Sequence, residues 1–176
     1  NSEKLTIIYQ SALKGKIVFS KKKKWITFVG KLNKAKGYDI FGKSIIKILN
    51  KYPDWKAQVI GDERRETMVF KHNNLKLLGF QKHKKVIDTF KSSSIAVVCS
   101  RWDEPLGRTS LEASSNGCAV IISNKGGLPE TITNGRILKE LNEFELFNEI
   151  ELLIKNPKIR KELQKLSNKN FIYTNK

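Results

Sequence analysis

Two carboxylates, Glu104 and Glu112, stand with seven residues between them in the stretch Glu104-Pro105-Leu106-Gly107-Arg108-Thr109-Ser110-Leu111-Glu112, and a glycine lies at the turn. Carboxylates on either side of a helix start can accept hydrogen bonds from sugar hydroxyls, while amides at Leu106, Gly107 and Arg108 would meet a phosphate. The same residue types also serve as helix-capping devices worth under about 1 kcal/mol, so spacing alone leaves both readings open. Upstream, Gly30-Lys31-Leu32-Asn33-Lys34-Ala35-Lys36-Gly37 is a glycine-bounded loop carrying three lysines. Ammonium groups, free amides and a helix N-terminus together make an anion site suited to a diphosphate. An ordinary polar loop in a lysine-rich protein would read the same way.

Short apolar runs alternate with amphipathic ones along the chain, the rhythm of parallel strands joined by helical crossovers. Expected strands are Trp25–Val29, Ala57–Ile60, Leu75–Leu78, Ile95–Cys99 and Cys118–Ile122, with Leu5–Tyr9 as an opening strand. After Gly30 a helix buries Tyr38, Phe41, Ile45, Ile48 and Leu49 at helical spacing. A second, around Lys84–Lys91, turns Val86, Ile87 and Phe90 inward, and a third over Arg108–Asn116 is closed by Gly117. Gly126 and Gly127 turn the chain into a short helix, Leu128–Ile132, whose Pro129 suits a first turn. Phe144–Ile154 and Pro157–Phe171 read as two surface helices. The fold class is α/β, a Rossmann-like parallel sheet with helices on both faces, and residues 1–176 form one domain. In such sheets ligands bind beyond the carboxyl ends of the strands, where both chemical segments lie.

Thirty-four Lys and Arg against seventeen Asp and Glu give a formal charge of +17, which favours anionic partners without choosing among nucleotides, nucleic acids and membrane surfaces. The run Lys21–Lys24 reads as part of a solvated surface. Cys99 and Cys118 lack metal-ligand spacing and read as buried free thiols, and the two histidines, His72 and His83, neighbour no second ligand, so no metal is assigned. Trp102 reads as a packing aromatic, with shielding of a ligand as the alternative. No apolar run reaches the roughly 20 residues of a spanning helix and no export signal is visible, which gives a cytoplasmic expectation.

The glutamate pair, preceded by Ser100-Arg101-Trp102, resembles the element of family 4 GT-B glycosyltransferases, the glycosyl transferases group 1. Other pieces follow in the same order. Gly30-Lys31-Leu32 with Lys36-Gly37, Ile60-Gly61-Asp62, Leu78-Gly79-Phe80, and Gly117-Cys118-Ala119-Val120 through Gly126-Gly127-Leu128-Pro129-Glu130 are similar to the family's donor-side motifs. The resemblance spans roughly Trp25 to Ile132 and implies the C-terminal half of a GT-B fold. It implies Lys31 and Lys36 on the donor diphosphate, Glu104 on the transferred sugar, Glu112 on the ribose, and the amides of Leu106, Gly107 and Arg108 on the distal phosphate. Gly30, Gly61, Gly79 and Phe80 would complete the substrate site, the last two beside the base. Lys31 stands where the family usually has arginine and supplies charge without a bidentate fork.

The implied activity is retaining, metal-independent hexosyl transfer from a UDP-, GDP- or ADP-sugar, without cofactor, in cell-envelope polysaccharide synthesis. The acceptor, a glycan or lipid-linked sugar, would lie on an N-terminal domain for which 176 residues leave no room. The chain alone would therefore bind donor and transfer nothing. Peripheral contact with the inner face of the membrane is a further use of the charge. The rival readings are a non-catalytic nucleotide-binding module, at odds with the glutamate pair, and a basic nucleic-acid-binding protein, motivated by the charge of +17 and by aromatic residues interleaved with lysine.

Overall fold

The computed structural model describes residues 9–174. Six strands run parallel: β1 (Lys23–Val29), β2 (Lys56–Ile60), β3 (Leu75–Leu77), β4 (Ser93–Val98), β5 (Ala119–Ser123) and β6 (Arg136–Leu138). Their spatial order is β3-β2-β1-β4-β5-β6. Connection direction reverses between β1 and β4, which pair directly, Ile26, Thr27 and Phe28 standing opposite Ile95, Ala96 and Val97. Among the described residues five α-helices accompany the strands: α1 (Tyr38–Lys51), α2 (His83–Ser92), α3 (Arg108–Ser115), α4 (Glu143–Lys155) and α5 (Pro157–Lys169).

The period-two alternation of strand side chains divides the core into two layers. Ile95, Val97 and Cys99 face one side with the α1 residues Phe41, Ile45 and Ile48 and the α4 residues Leu146, Ile150 and Leu153. Ala96 and Val98 face the other, with Val86 and Phe90 of α2 and Ala113 of α3. Because both faces of β4 and β5 are covered, every residue of these strands is buried, and they read as continuous apolar runs broken only by serines. Within the sheet, Thr27 Oγ1 and Ser93 Oγ lie 2.6 Å apart and Gln58 Nε2 donates to both at 3.1 Å, a satisfied polar cluster that ties β1, β2 and β4 together.

Several expectations need correction. Ile87 is only half-buried and joins neither core layer, lining a surface cavity beside His83. The strand β6 was not expected; three residues, Arg136-Ile137-Leu138, carry too little alternation to announce it. The expected short helix at Leu128 is a 3-10 helix over Leu128–Thr131, with Pro129 in its first turn. Residues 5–8 of the expected opening strand lie outside the described residues, and Tyr9 belongs to no strand. Trp102 packs against no core and is 62% exposed. Both cysteines are buried free thiols, and burial pushes Cys99 up to about 12.

The run Lys21–Lys24 is not uniformly solvated. Helices antiparallel to the strands bring their C-terminal carbonyls to the sheet's amino edge, where the helix dipole favours cations. Lys22 reaches inward there, its Nζ donating to Phe90 O at the end of α2 and to Asn116 O just past α3, each at 2.8 Å. Burial pushes the Lys22 ammonium below its ordinary value. Arg160 does the same for α4, its Nη1 donating to Leu153 O at 2.5 Å and Ile154 O at 3.2 Å while the guanidinium lies over the Trp55 ring.

At the opposite edge, a bidentate pair ties the start of α1 to the chain leaving β4. Arg101 Nη1 and Nη2 meet the two oxygens of Asp39 at 2.6 and 2.7 Å, and Nη1 also reaches Lys34 O at 2.7 Å. Burial works against the Asp39 charge, but the guanidinium outweighs it and holds the carboxyl below its usual range.

Two predictions follow from these contacts. Lys22→Ala leaves Asn116 O without its donor, takes one of several donors from Phe90 O, and is expected to cost about 2 kcal/mol, roughly 6 °C in Tm, whereas Lys21→Ala stays within about 0.5 kcal/mol. Thermal unfolding of both variants decides it, equal losses going against the assigned role. Because the folded-state pKa of Asp39 is depressed, its pairing stabilises fully above the ordinary aspartate range and is lost as pH falls from that range through the lower folded-state value. Asp39→Asn should therefore lower Tm by about 3 °C near neutral pH, roughly 1 kcal/mol for a partly exposed pair, and the difference should close as pH falls below the ordinary aspartate range.

Candidate functional site

Since β1 and β4 are neighbours at the point where connection direction reverses, the loops leaving them face one crevice. Backbone hydrogen bonds join them. The amides of Arg101 and Trp102 both donate to Ala35 O, at 2.8 and 3.1 Å, and Ser100 Oγ, 3.0 Å from the same oxygen, shares its one proton between it and Glu104 Oε1. The first loop is held from within by Asn33, whose Oδ1 accepts from the Lys36 amide at 3.0 Å while its Nδ2 donates to Glu63 Oε2 at 3.1 Å. Gly37 then starts α1 in the left-handed region at φ 72°, with the space where a Cβ would stand filled by Cys99 O at 1.9 Å. No other residue type fits there.

These constraints deliver Lys36 to Glu104. The Lys36 ammonium forms an ion pair with Glu104 Oε1, which also accepts from Ser100 Oγ at 3.0 Å. With their side chains 32% and 14% exposed, the pair is shielded enough for the attraction to exceed that of a surface bridge. Lys36, Glu104, Gly30, Gly107 and Arg108 line one cavity of about 200 Å³, with Thr109 beside them.

The loop bearing Glu104 is pinned from its far side by the Gly127 amide, which donates to Glu104 O at 2.7 Å. Gly107 precedes α3 at φ 91°, and no side chain caps this helix. Among the described residues the amides of Leu106, Gly107, Arg108 and Thr109 have no hydrogen-bond partner. Four free donors at a helix N-terminus, beside an ammonium, make a ready anion seat.

The start of α1 offers fewer free amides than the start of α3. Its entry amides are consumed internally, Gly37 N by Lys34 O at 2.9 Å, Tyr38 N by Asn33 O at 3.1 Å and Lys36 N by the Asn33 side chain. Among the described residues only the amides of Lys31, Asn33 and Ala35 in that loop have no partner, so the start of α1 itself offers ammonium groups and not amides. Lys31 is also separated from Lys36. It is exposed and lines a neighbouring cavity of about 270 Å³ with Gly30, Gly61, Phe80 and Val86. Gly61 sits there because a Cβ would strike Gly30 O at 1.9 Å, and its amide donates to Gly79 O at 2.9 Å. Phe80, 76% exposed, offers its ring as an open apolar platform at the end of β3.

The two glutamates do not share a cavity. Glu112 faces a third one, of about 330 Å³, walled by Ser11, Ala12, Leu13, His83, Ile87 and Arg108. Arg108 is common to the Glu104 and Glu112 cavities, and Gly30 to the Glu104 and Phe80 cavities, so the three adjoin along the carboxyl edge of the sheet. Leu106 turns its side chain away, against Leu111, Ala12 and Phe171. Among the described residues no three His, Cys, Asp or Glu side chains cluster closely enough to hold a metal ion, and no helix is long and apolar enough to cross a membrane.

Sequence reasoning missed Asn33, Asp39, Arg101 and the contact of His83 with Glu112. Asn33 carried a signal, since asparagine in a loop three residues before an amide is an Asx-turn former. The others depend on pairings across elements.

Residues 10–170 match the family model described as glycosyl transferases group 1. The chain is 31% identical over 136 residues to spore coat protein SA of Bacillus subtilis, covering 70% of the chain and 36% of that protein. It is 30% identical over 124 residues to the lipopolysaccharide core biosynthesis mannosyltransferase LpsB of Rhizobium meliloti, covering 64% of the chain and 35% of the relative. The chain thus spans about a third of the length of these curated relatives. Among solved structures, the C-terminal domain of a group 1 glycosyl transferase from Francisella tularensis superposes with a TM-score of 0.77 at 25% identity, covering 88% of this chain and 89% of that one. HepE of Anabaena, solved with UDP-glucose, shares the fold at a TM-score of 0.69 and 21% identity, over 85% of this chain and 45% of its own. With nearly the whole sequence matched by one family model, and a sheet that superposes on that family's C-terminal domain, the chain belongs to the glycosyl transferases group 1 family.

Proposed function

We propose that this chain is the donor-binding half of a glycosyltransferase, holding a nucleoside diphosphate sugar at the carboxyl edge of its sheet for transfer to an acceptor bound elsewhere. One observation carries the reading: the Lys36–Glu104 pair and the unbonded amides of residues 106–109 line or border a single cavity at the switch between β1 and β4. A diphosphate there takes hydrogen bonds from the helix N-terminus and charge from lysine, which is what a leaving nucleoside diphosphate requires as its bond to the sugar breaks. Glu104, released from Lys36 as the phosphate arrives, accepts hydrogen bonds from the sugar hydroxyls. Lys31 stands farther along the rim, where it adds long-range attraction. The ribose lies towards Glu112, and the base towards Phe80.

In this reading the reaction is retaining and metal-independent, with lysine supplying the positive charge. UDP-glucose bound to HepE, a protein of the same fold, supports a nucleotide-sugar donor. The acceptor is a glycan or lipid-linked sugar on a separate domain, for which the greater length of the relatives leaves room. Contact of the lysine-rich surface with an anionic membrane at the cytoplasmic face belongs to the same proposal.

Calorimetric titration of the 176-residue chain with UDP, GDP and ADP tests it. One of the three should bind, and Lys36→Ala should weaken that binding by about 10–100-fold, the value of one or two charge-assisted hydrogen bonds. Absence of binding by all three, or a Lys36→Ala affinity equal to the wild type, would contradict the proposal.

A further inference from the structure

Glu112 is nearly buried, its side chain 9% exposed, and one of its oxygens is held from two sides. His83 Nε2 and Arg108 Nε both lie 2.8 Å from Oε1. The two partners differ in origin. Arg108 sits one turn before Glu112 on α3, a spacing at which any helix pairs opposite charges. His83 opens α2 and is brought to Glu112 only by the packing of two separate helices. With Arg108 alone, the carboxylate could swing to take the guanidinium through both oxygens. An imidazole on the other side blocks that rotation, anchoring Oε1 and leaving Oε2 as the open acceptor. Among the described residues Oε2 has no hydrogen-bond partner.

The surroundings suit a nucleoside. The Glu112 cavity adjoins the diphosphate cavity through Arg108 and is walled on its other side by Ile87 of α2, the helix that also lends Val86 to the Phe80 cavity. A ribose is bonded directly to its phosphates, and the Glu112 cavity shares Arg108 with the diphosphate cavity. Oε2 is not among the buried polar atoms that lack a partner and so is open to the cavity, where a ligand hydroxyl that meets it gains a charge-assisted hydrogen bond that a deoxy ligand lacks.

We propose that His83 is a positioning residue for donor recognition: by holding Glu112 Oε1 it reserves Oε2 for a ribose hydroxyl and sets a preference for ribonucleotides over their deoxy counterparts. The inference rests on the donor-binding reading above. His83 touches no ligand in this arrangement; it acts through Glu112.

The test is calorimetry on the 176-residue chain, wild type, His83→Ala and His83→Gln, with UDP, GDP and ADP and with the 2′,3′-dideoxy form of whichever diphosphate binds. His83→Ala should weaken the ribonucleotide about tenfold and leave the dideoxy nucleotide unchanged, while His83→Gln, which keeps an N–H donor, restores most of the ribose preference. Equal weakening of both nucleotides, no weakening of either, or failure of glutamine to restore any preference would overturn the role of His83 while leaving donor binding in place. If the wild type binds none of the three diphosphates, the donor reading falls and this inference with it.

Discussion

Parallel pairing of β1 with β4 across the reversal in chain connection obliges two loops distant in sequence to share one crevice. Lys36 and Glu104 are 68 positions apart, yet form an ion pair because each leaves an adjacent strand at the same edge. The constraint is transmitted through rigid contacts: Ala35 O collects three donors from residues 100–102, and Asp39 takes Arg101 through both oxygens. Gly37 lets the backbone of α1 press against Cys99 O. The charged pair is thus held by the sheet's own geometry, the arrangement that preorganised electrostatics requires.

The two edges of the sheet have opposite electrical character for a common reason. Helices running against the strands bring their N-termini to the carboxyl edge, where uncapped α3 offers free amides to an anion. Their C-termini gather at the other edge, and Lys22 and Arg160 are inserted there against the exposed carbonyls. Part of the large positive charge is therefore structural. Lys161 and Lys165, exposed on α5 around a groove of about 560 Å³ that Lys22 and Arg160 also line, belong to the surface excess that remains.

Much of the fold was legible because its signals are local. Helical spacing of Phe41, Ile45 and Ile48 and the unbroken run Ile95–Cys99 correspond to a helix and a strand that bury those side chains fully. Glycine after a strand marked Gly30, Gly61 and Gly79, all in left-handed or otherwise positive φ. What escaped is non-local. Lys22 looks like its neighbours in a lysine run until two helix ends are placed beside it. Lys31 and Lys36, five residues apart in one loop, part company because Asn33 folds that loop on itself and turns them to different cavities. Glu104 and Glu112 sit on one short motif but face separate hollows, and only the docking of α2 against α3 supplies the histidine that holds the second.

The account stands on one shared site formed by the lysine loop and the start of α3. Two-dimensional amide NMR of the chain, titrated with the nucleoside diphosphate it binds, reads that site directly. The predicted result is a set of saturable shifts at Gly30, Lys36, residues 106–109 and Glu112, with Lys161 and Lys165 unmoved. Shifts confined to the α5 lysines, or a ligand that leaves the amides of residues 106–109 unchanged, would contradict it.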